Sequence, residues 1–251
     1  MLKINEGQPT AYNIVFPVFG GRMNDLNQFV PTEIFGTAFY IGNNFFVTCC
    51  HTIKAAQEQG VITLGYQNED RTLSFAQVNS TELFEENDSG IINAYIERAK
   101  ANPWLAQKLS MLNDVISIGY PYGFDNDKAE VLIRSYKGHI VLVGFYHLFN
   151  SNPHYEISYQ VPRGLSGGPL LFLYNNATVI CGMTIGNQIT EIVVNSFKEV
   201  DSINNKTTVY EKTEALHRGI AMQSISFFKT KSNLLGMTFY DYLTQNKLIC
   251  S

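Results

Sequence analysis

Short apolar runs, broken about every 8 to 14 residues by Gly, Asn or Pro, fill this chain, and that spacing constrains its fold more than any other feature. Runs of this length rich in β-branched and aromatic residues suit strands and are too short for independent helices. Residues 11–19, 36–41, 45–48, 61–66, 72–78 and 90–95 read as one series of strands. Residues 115–118, 130–145, 155–161, 168–174, 178–185 and 219–225 read as a second, the long member bending or dividing near Gly138. Gly42-Asn43-Asn44 reads as a tight hairpin turn. Between the series, residues 94–109 have a helical composition interrupted by Pro103. Residues 233–247 read as a terminal helix, because Leu234, Leu235, Phe239, Leu243 and Leu248 recur near the helical period. Two β units of similar size, joined around residues 95–112, predict paired barrels: one over 1–95, one over 112–228, and a helical tail over 229–251.

Composition removes several classes of function. A chain of 251 residues with 45% hydrophobic and 16% charged residues can build a core and is not a disordered segment. The net charge of −4, with no block of Lys or Arg, gives no support for a nucleic-acid partner. Apolar runs such as 140–145 fall far short of the roughly 20 residues a spanning helix needs, so no membrane partner is expected. Met1-Leu2-Lys3-Ile4-Asn5-Glu6-Gly7 lacks the apolar core of a signal peptide, and a cytoplasmic location is expected. Cys49 and Cys50 are adjacent while Cys181 and Cys250 stand alone, without metal-ligand spacing. Reduced, buried thiols follow, with no metal and no cofactor expected.

Three segments carry chemistry. Gly164-Leu165-Ser166-Gly167-Gly168-Pro169 places a serine in a tight turn whose small neighbours let a carbonyl approach the backbone. The N–H groups of Gly164 and Ser166 can there converge on one oxygen, as an oxyanion hole requires. Val47-Thr48-Cys49-Cys50-His51 ends an apolar strand on a histidine, the residue type best suited to general-base work near neutral pH. Asn87-Asp88-Ser89-Gly90-Ile91-Ile92 brings an aspartate to the start of another strand, where it can accept the Nδ1–H of His51. Each segment alone is also ordinary turn or strand-end chemistry. Their combination is not.

The order His51, Asp88, Ser166 and these contexts resemble the chymotrypsin-like, trypsin-fold serine proteases, most closely the bacterial disulfide-free branch that includes HtrA and the glutamyl endopeptidases. Gly36-Thr37-Ala38-Phe39-Tyr40-Ile41 is similar to the family's Gly-Thr/Ser-Gly-Phe strand, and Thr48-Cys49-Cys50-His51 to its Thr-Ala-Ala-His. Ile118-Gly119-Tyr120-Pro121-Tyr122-Gly123 resembles its Ile-Gly-x-Pro-Phe-Gly stretch. Cys181-Gly182-Met183-Thr184 and Arg218-Gly219-Ile220-Ala221 resemble the two strands beside its specificity pocket. The resemblance implies an all-β, double six-stranded antiparallel barrel and a serine endopeptidase acting through an acyl-enzyme. In it Ser166 is the nucleophile, His51 the base and Asp88 its orienting acid. Protein or peptide is the implied substrate, and a regulatory protein partner is compatible with the HtrA branch. Leu165 stands where zymogen-activated members carry an aspartate, so cleavage of the N-terminus is not expected to switch activity. Residues 187–217 form a long polar insertion beside the pocket, read as a lid, a partner surface or, by default, a solvated loop.

Other assignments compete with these. Asp114 also opens a strand, but choosing it as the acid consumes the strand leading to Gly119-Tyr120-Pro121. Glu85 and Glu86 read as a solvated edge, and His139, His147, His154 and His217 lack a motif, although His217 lies near a pocket strand. By analogy the pocket comprises Gln160 and Val161 on one side and Met183, Thr184 and Ile185 on the other. With Tyr159 these offer no buried acid, which predicts an apolar or modest-sized side chain before the scissile bond. A silent or partner-activated binding module is the rival reading; such modules usually lack a triad member, and here all three residues are present.

Overall fold

The computed structural model describes residues 11–68, 72–121, 124–125, 130–145, 152–201, 204 and 206–250. His147, Tyr122, Gly123 and the Met1–Gly7 segment lie outside these residues. A short helix, α1 (Ala11–Ile14), leads into six strands: β1 (Val15–Met23), β2 (Phe29–Gly42), β3 (Phe45–Cys49), β4 (Val61–Gln67), β5 (Leu73–Phe84) and β6 (Ser89–Ala94). These close into an antiparallel barrel in the order β1-β2-β3-β6-β5-β4. Helix α2 (Cys50–Gln57) follows β3 directly. Asn43 and Asn44 both adopt positive φ, at 48° and 67°, and make the expected hairpin turn between β2 and β3.

The two faces of these strands serve different cores, as side-chain alternation dictates. Phe16, Ala38, Phe46, Leu64, Ala76 and Ile92 come from all six strands and fill the barrel with Ile53 and Ala56 of α2. Their neighbours Val15, Phe39, Val47 and Ile91 face the other way and join the seam against the second half of the chain.

That half contains β7 (Trp104–Leu105), β8 (Asp114–Gly119), a short β9 (Phe124–Asp125) paired with β10 (Glu130–Val131), β11 (Arg134–Phe145), β12 (Pro153–Ile157), β13 (Pro169–Tyr174), β14 (Ala177–Asp201) and β15 (Lys206–Gln223). Pairing runs β13-β8-β11-β12-β15-β14 and returns from β14 to β13, a second ring of six strands. Val115, Ile140, Tyr155, Leu170, Val179 and Ala221, again one from each strand, line its inside. The chain ends through α3 (Ser224–Phe227), a hairpin of β16 (Lys231–Ser232) and β17 (Met237–Thr238), α4 (Phe239–Gln245) and β18 (Ile249–Cys250).

Four local expectations need correction. Residues 94–109 form no helix; Trp104 of β7 instead pairs in parallel with Ile180 and with Ile249. Its indole is fully buried between Phe39, Phe227 and Phe239, with ring centroids 5.1 to 5.6 Å away, and locks the seam. The terminal helix is only Phe239–Gln245, capped by Thr238, whose side chain accepts from the Asp241 N–H. It does not start near Asn233, because the Glu82 carboxylate takes the N–H groups of Asn233 and Leu234 into a turn. Gly138 does not break its strand. It sits inside β11, where a Cβ would strike Ser158 and Tyr159, and the interruption falls at residues 132–133. The described residues of 187–201 and 206–217 are not a loop. They extend β14 and β15 into a two-stranded ribbon paired as far as Asp201 and Lys206, supported by β-formers such as Ile189, Ile192, Val193, Val209 and Tyr210.

Candidate active site

The first barrel contributes a histidine and an aspartate. His51 lies in the first turn of α2 rather than at the end of β3 as its sequence context suggests. Asp88 occupies the left-handed region at φ 49°, which aspartate tolerates better than most residues, between a 3₁₀ turn (Glu85–Asn87) and β6. Three bonds join the start of α2 to Asp88, two of them from His51. The Cys50 N–H donates to the Asp88 carbonyl at 3.1 Å, the His51 N–H to Oδ1 at 3.0 Å, and the His51 ring meets Oδ2 through Nδ1 at 2.7 Å. An ionised carboxylate only accepts, so the proton sits on Nδ1 and leaves Nε2 as the basic nitrogen. The imidazole is half exposed while Asp88 is largely covered. Behind Asp88, buried Asn87 accepts from Ser89 and donates to Thr230 Oγ1, tying the turn to the C-terminal segment.

The second barrel contributes Ser166, on a loop held by the first. Thr37 of β2 donates its N–H to the Ser166 carbonyl (2.8 Å) and its hydroxyl to the Gly164 carbonyl (2.7 Å), and receives the Tyr120 N–H (3.1 Å). Thr184 Oγ1 bonds the Leu165 and Gly168 carbonyls at 2.8 and 3.0 Å. In a planar trans peptide the N–H opposes the preceding C=O. The Leu165 carbonyl is fixed inward, so the Ser166 N–H points out. Neither that N–H nor the Gly164 N–H has a partner among the described residues. Glycine is required at 164 and 167, whose φ values are 94° and 81°. A Cβ at 167 would strike Thr48 and the Cys49 amide, so this contact seats the Ser166 loop two residues from His51. Buried Leu165 packs inside the second barrel. Ser166 Oγ donates to the Ile185 carbonyl at 2.6 Å, and no hydrogen bond joins it to His51 among the described residues.

The residues expected to form the pocket divide differently. Met183 and Thr184 are fully buried, the first in the seam core and the second spent on the Ser166 loop, so neither walls an open pocket. Ile185 and Val161 are nearly buried, while Gln160 is exposed. Two contributors escape the sequence reading. Thr37 was visible only as part of the Gly36-Thr37-Ala38-Phe39 strand. Asn187 bridges to Val161, accepting its N–H on Oδ1 (2.6 Å) and donating Nδ2 to its carbonyl (2.8 Å). Nothing in its sequence position marked it.

The rival residues lie elsewhere. Asp114 is exposed and pairs with Lys137 at 3.0 Å, and Glu85 pairs with Lys54 at 2.6 Å. His139 lies within β11, buried His154 bonds the Asn152 carbonyl through Nδ1, and exposed His217 pairs with Ile189 on the ribbon. Cys49, His51 and Asp88 place ligand atoms within 4.8 Å of one another. Burial, with the nearby Asp88 charge adding to it, pushes the Cys49 thiol well above its usual range, and its Sγ donates to the Thr184 carbonyl. A protonated thiol and an engaged Nδ1 make a poor metal donor set.

In sequence, the chain matches no protein-family model and no curated protein. In three dimensions it is similar to the Rv3671c protease from M. tuberculosis in its active form, at 16% identity and a TM-score of 0.53, covering 85% of this chain and 77% of that one. It is also similar to the HtrA-type protease AlgW with a decapeptide, at 15% identity and a TM-score of 0.55, covering 85% of this chain and 61% of that one. The chain thus has the trypsin-like, double-barrel fold. Among the described residues, no helix is long and apolar enough to cross a membrane.

Proposed function

We propose that this protein is a serine endopeptidase, one unit made of the two barrels and their C-terminal tail. Ser166 attacks a peptide carbonyl, His51 takes its proton at Nε2 and returns it to the leaving amine, and water then hydrolyses the acyl-enzyme with His51 as base. Asp88 holds His51 in the productive tautomer. The N–H groups of Ser166 and Gly164, unpartnered among the described residues, receive the oxyanion, a contribution worth about 10²- to 10³-fold per donor in turnover. The observation that carries this reading is the double grip of Asp88 on the backbone and ring of His51, set beside a serine loop anchored on the same barrel.

Ser166 Oγ must leave the Ile185 carbonyl to reach His51, a side-chain rotation opposed by roughly one hydrogen bond, about 1 kcal/mol. A substrate N–H that occupies the Ile185 carbonyl replaces that bond and frees the hydroxyl. This favours a peptidase whose alignment is completed by the bound peptide or by a regulatory partner. The test is labelling with a fluorophosphonate probe, alone and with peptide. Wild type is expected to label and Ser166→Ala to stay unlabelled; equal labelling of both removes Ser166 as nucleophile.

A further inference from the structure

Two segments flank Ser166. One is the stretch from Tyr159 to Gly164 that leads into it, and the other is the start of the ribbon at Ile185–Asn187, whose first carbonyl receives its hydroxyl. On the peptidase reading, on which this inference rests, a carbonyl attacked by Ser166 with its oxygen toward the free amides turns its own side chain into the gap between these segments. That gap is closed at both ends. At the mouth, the Asn187 carboxamide spans it with two hydrogen bonds to the Val161 backbone. At the back, the Gly219 N–H donates to the Tyr159 carbonyl at 2.8 Å. Gly219 pairs with Asn187 on its other side, and a Cβ at Gly219 would lie 2.5 Å from the Tyr159 carbonyl, 2.7 Å from Ile157 and 2.9 Å from Val161, so β15 fills the back of the gap and packs tightly on the Tyr159–Val161 wall. The charged group nearest in sequence, Arg163, is exposed and pairs with Glu33 at 2.8 Å. By contrast, among the described residues nothing lies within 4 Å of where a Cβ on Gly186 would stand, so the chain is open on that side of the ribbon's start.

We infer that Asn187 is the specificity-determining residue of this site. It restricts the residue before the scissile bond to glycine or alanine. The earlier expectation of an apolar or modest side chain narrows accordingly. A group as small as a methylene can change kcat/KM by about 10- to 200-fold in a tight pocket, so a carboxamide bar is ample for selection.

The experiment compares otherwise identical fluorogenic peptides with Ala, Leu or Phe before the cleaved bond, using wild type, Asn187→Gly and Asn187→Ala. Wild type is expected to favour Ala over Phe by at least about 10-fold. Both variants should shrink that preference at least 10-fold by gaining Phe cleavage through a lower KM. Melting temperatures and fluorophosphonate labelling of all three proteins accompany the rates. Two variants guard against one failing to fold, since Ala keeps a β-carbon that Gly lacks. Cleavage after Phe by wild type as fast as after Ala, or an unmoved preference in a folded, labelled variant, overturns the inference and leaves the peptidase reading standing. Absence of labelling at Ser166 in wild type overturns both.

Discussion

The two sides of the cleft differ in how much of their hydrogen bonding is complete. On the first-barrel side, His51 and Asp88 are joined through backbone and ring within one small turn, before anything binds. On the second-barrel side the loop is fixed but its working groups are not. Two amides lack partners among the described residues, and the Ser166 hydroxyl rests on the Ile185 carbonyl. On the proposed reading the base is preorganised, whereas the nucleophile and oxyanion donors wait for a peptide. A base and its orienting carboxylate gain from being locked beforehand, because their orientation would otherwise be fixed at the moment of reaction. A hydroxyl needs only one rotation.

The largest expected effect comes from breaking the complete side. Asp88→Asn keeps an oxygen for the His51 N–H but offers an amide to the ring, which favours the proton on Nε2. Turnover is expected to fall by about 10⁴-fold with the melting temperature little changed, the scale associated with the wrong tautomer in such triads. A loss under about tenfold would show that the Asp88–His51 bond has no part in the chemistry.

A smaller effect tests whether the second side depends on the first. Thr37→Val removes the hydroxyl that bonds the Gly164 carbonyl and the Tyr120 N–H, while the Thr37 N–H to Ser166 remains. Two buried polar groups lose their partner, at a cost of about 1 to 3 kcal/mol in stability. Turnover is expected to drop about 10- to 100-fold, with KM changing less, since the oxyanion amides shift together. A variant that loses stability and keeps full turnover would show that the serine loop holds its shape without the first barrel.

The sequence carried the same asymmetry. Both barrels were legible because their strands alternate and because asparagine pairs and glycines mark the turns. His51, Asp88 and Ser166 were legible as residue types in context; the structure joins His51 to Asp88 and anchors the Ser166 loop on the barrel that carries them. What escaped depended on tertiary hydrogen bonds. The complete burial of Met183 and Thr184 was not legible because strand alternation does not say which face a strand buries when both are covered. The ribbon was hidden by its polar residues, since with both faces exposed it has no apolar stripe to give it away, although Ile192, Phe197 and Tyr210 lie among them. Asn187 matters only because a distant backbone at Val161 comes within reach.

The smallest expected effect concerns what braces the complete side. Glu82 on β5 accepts the Ser232 hydroxyl and the N–H groups of Asn233 and Leu234, and so fastens the C-terminal hairpin beside the turn that carries Asp88. Partial burial alone would raise its carboxyl pKa, but these bonds prevail and hold it below the usual range. The folded protein therefore releases this proton more readily than the unfolded chain. The resulting stability is present above the ordinary carboxylate range and is lost as pH falls through it. Glu82→Gln is expected to cost about 1 kcal/mol at neutral pH, the scale of one net hydrogen bond, because the amide oxygen still accepts part of the set. Toward pH 3 the gap between variant and wild type should narrow, because both then present a neutral acceptor. Thermal melts across that range check it. A gap that stays constant with pH would mean the hairpin is held by packing of Leu235 and Phe239 and not by the carboxylate, and the Asp88 turn would then owe its brace to Asn87 and Thr230 alone.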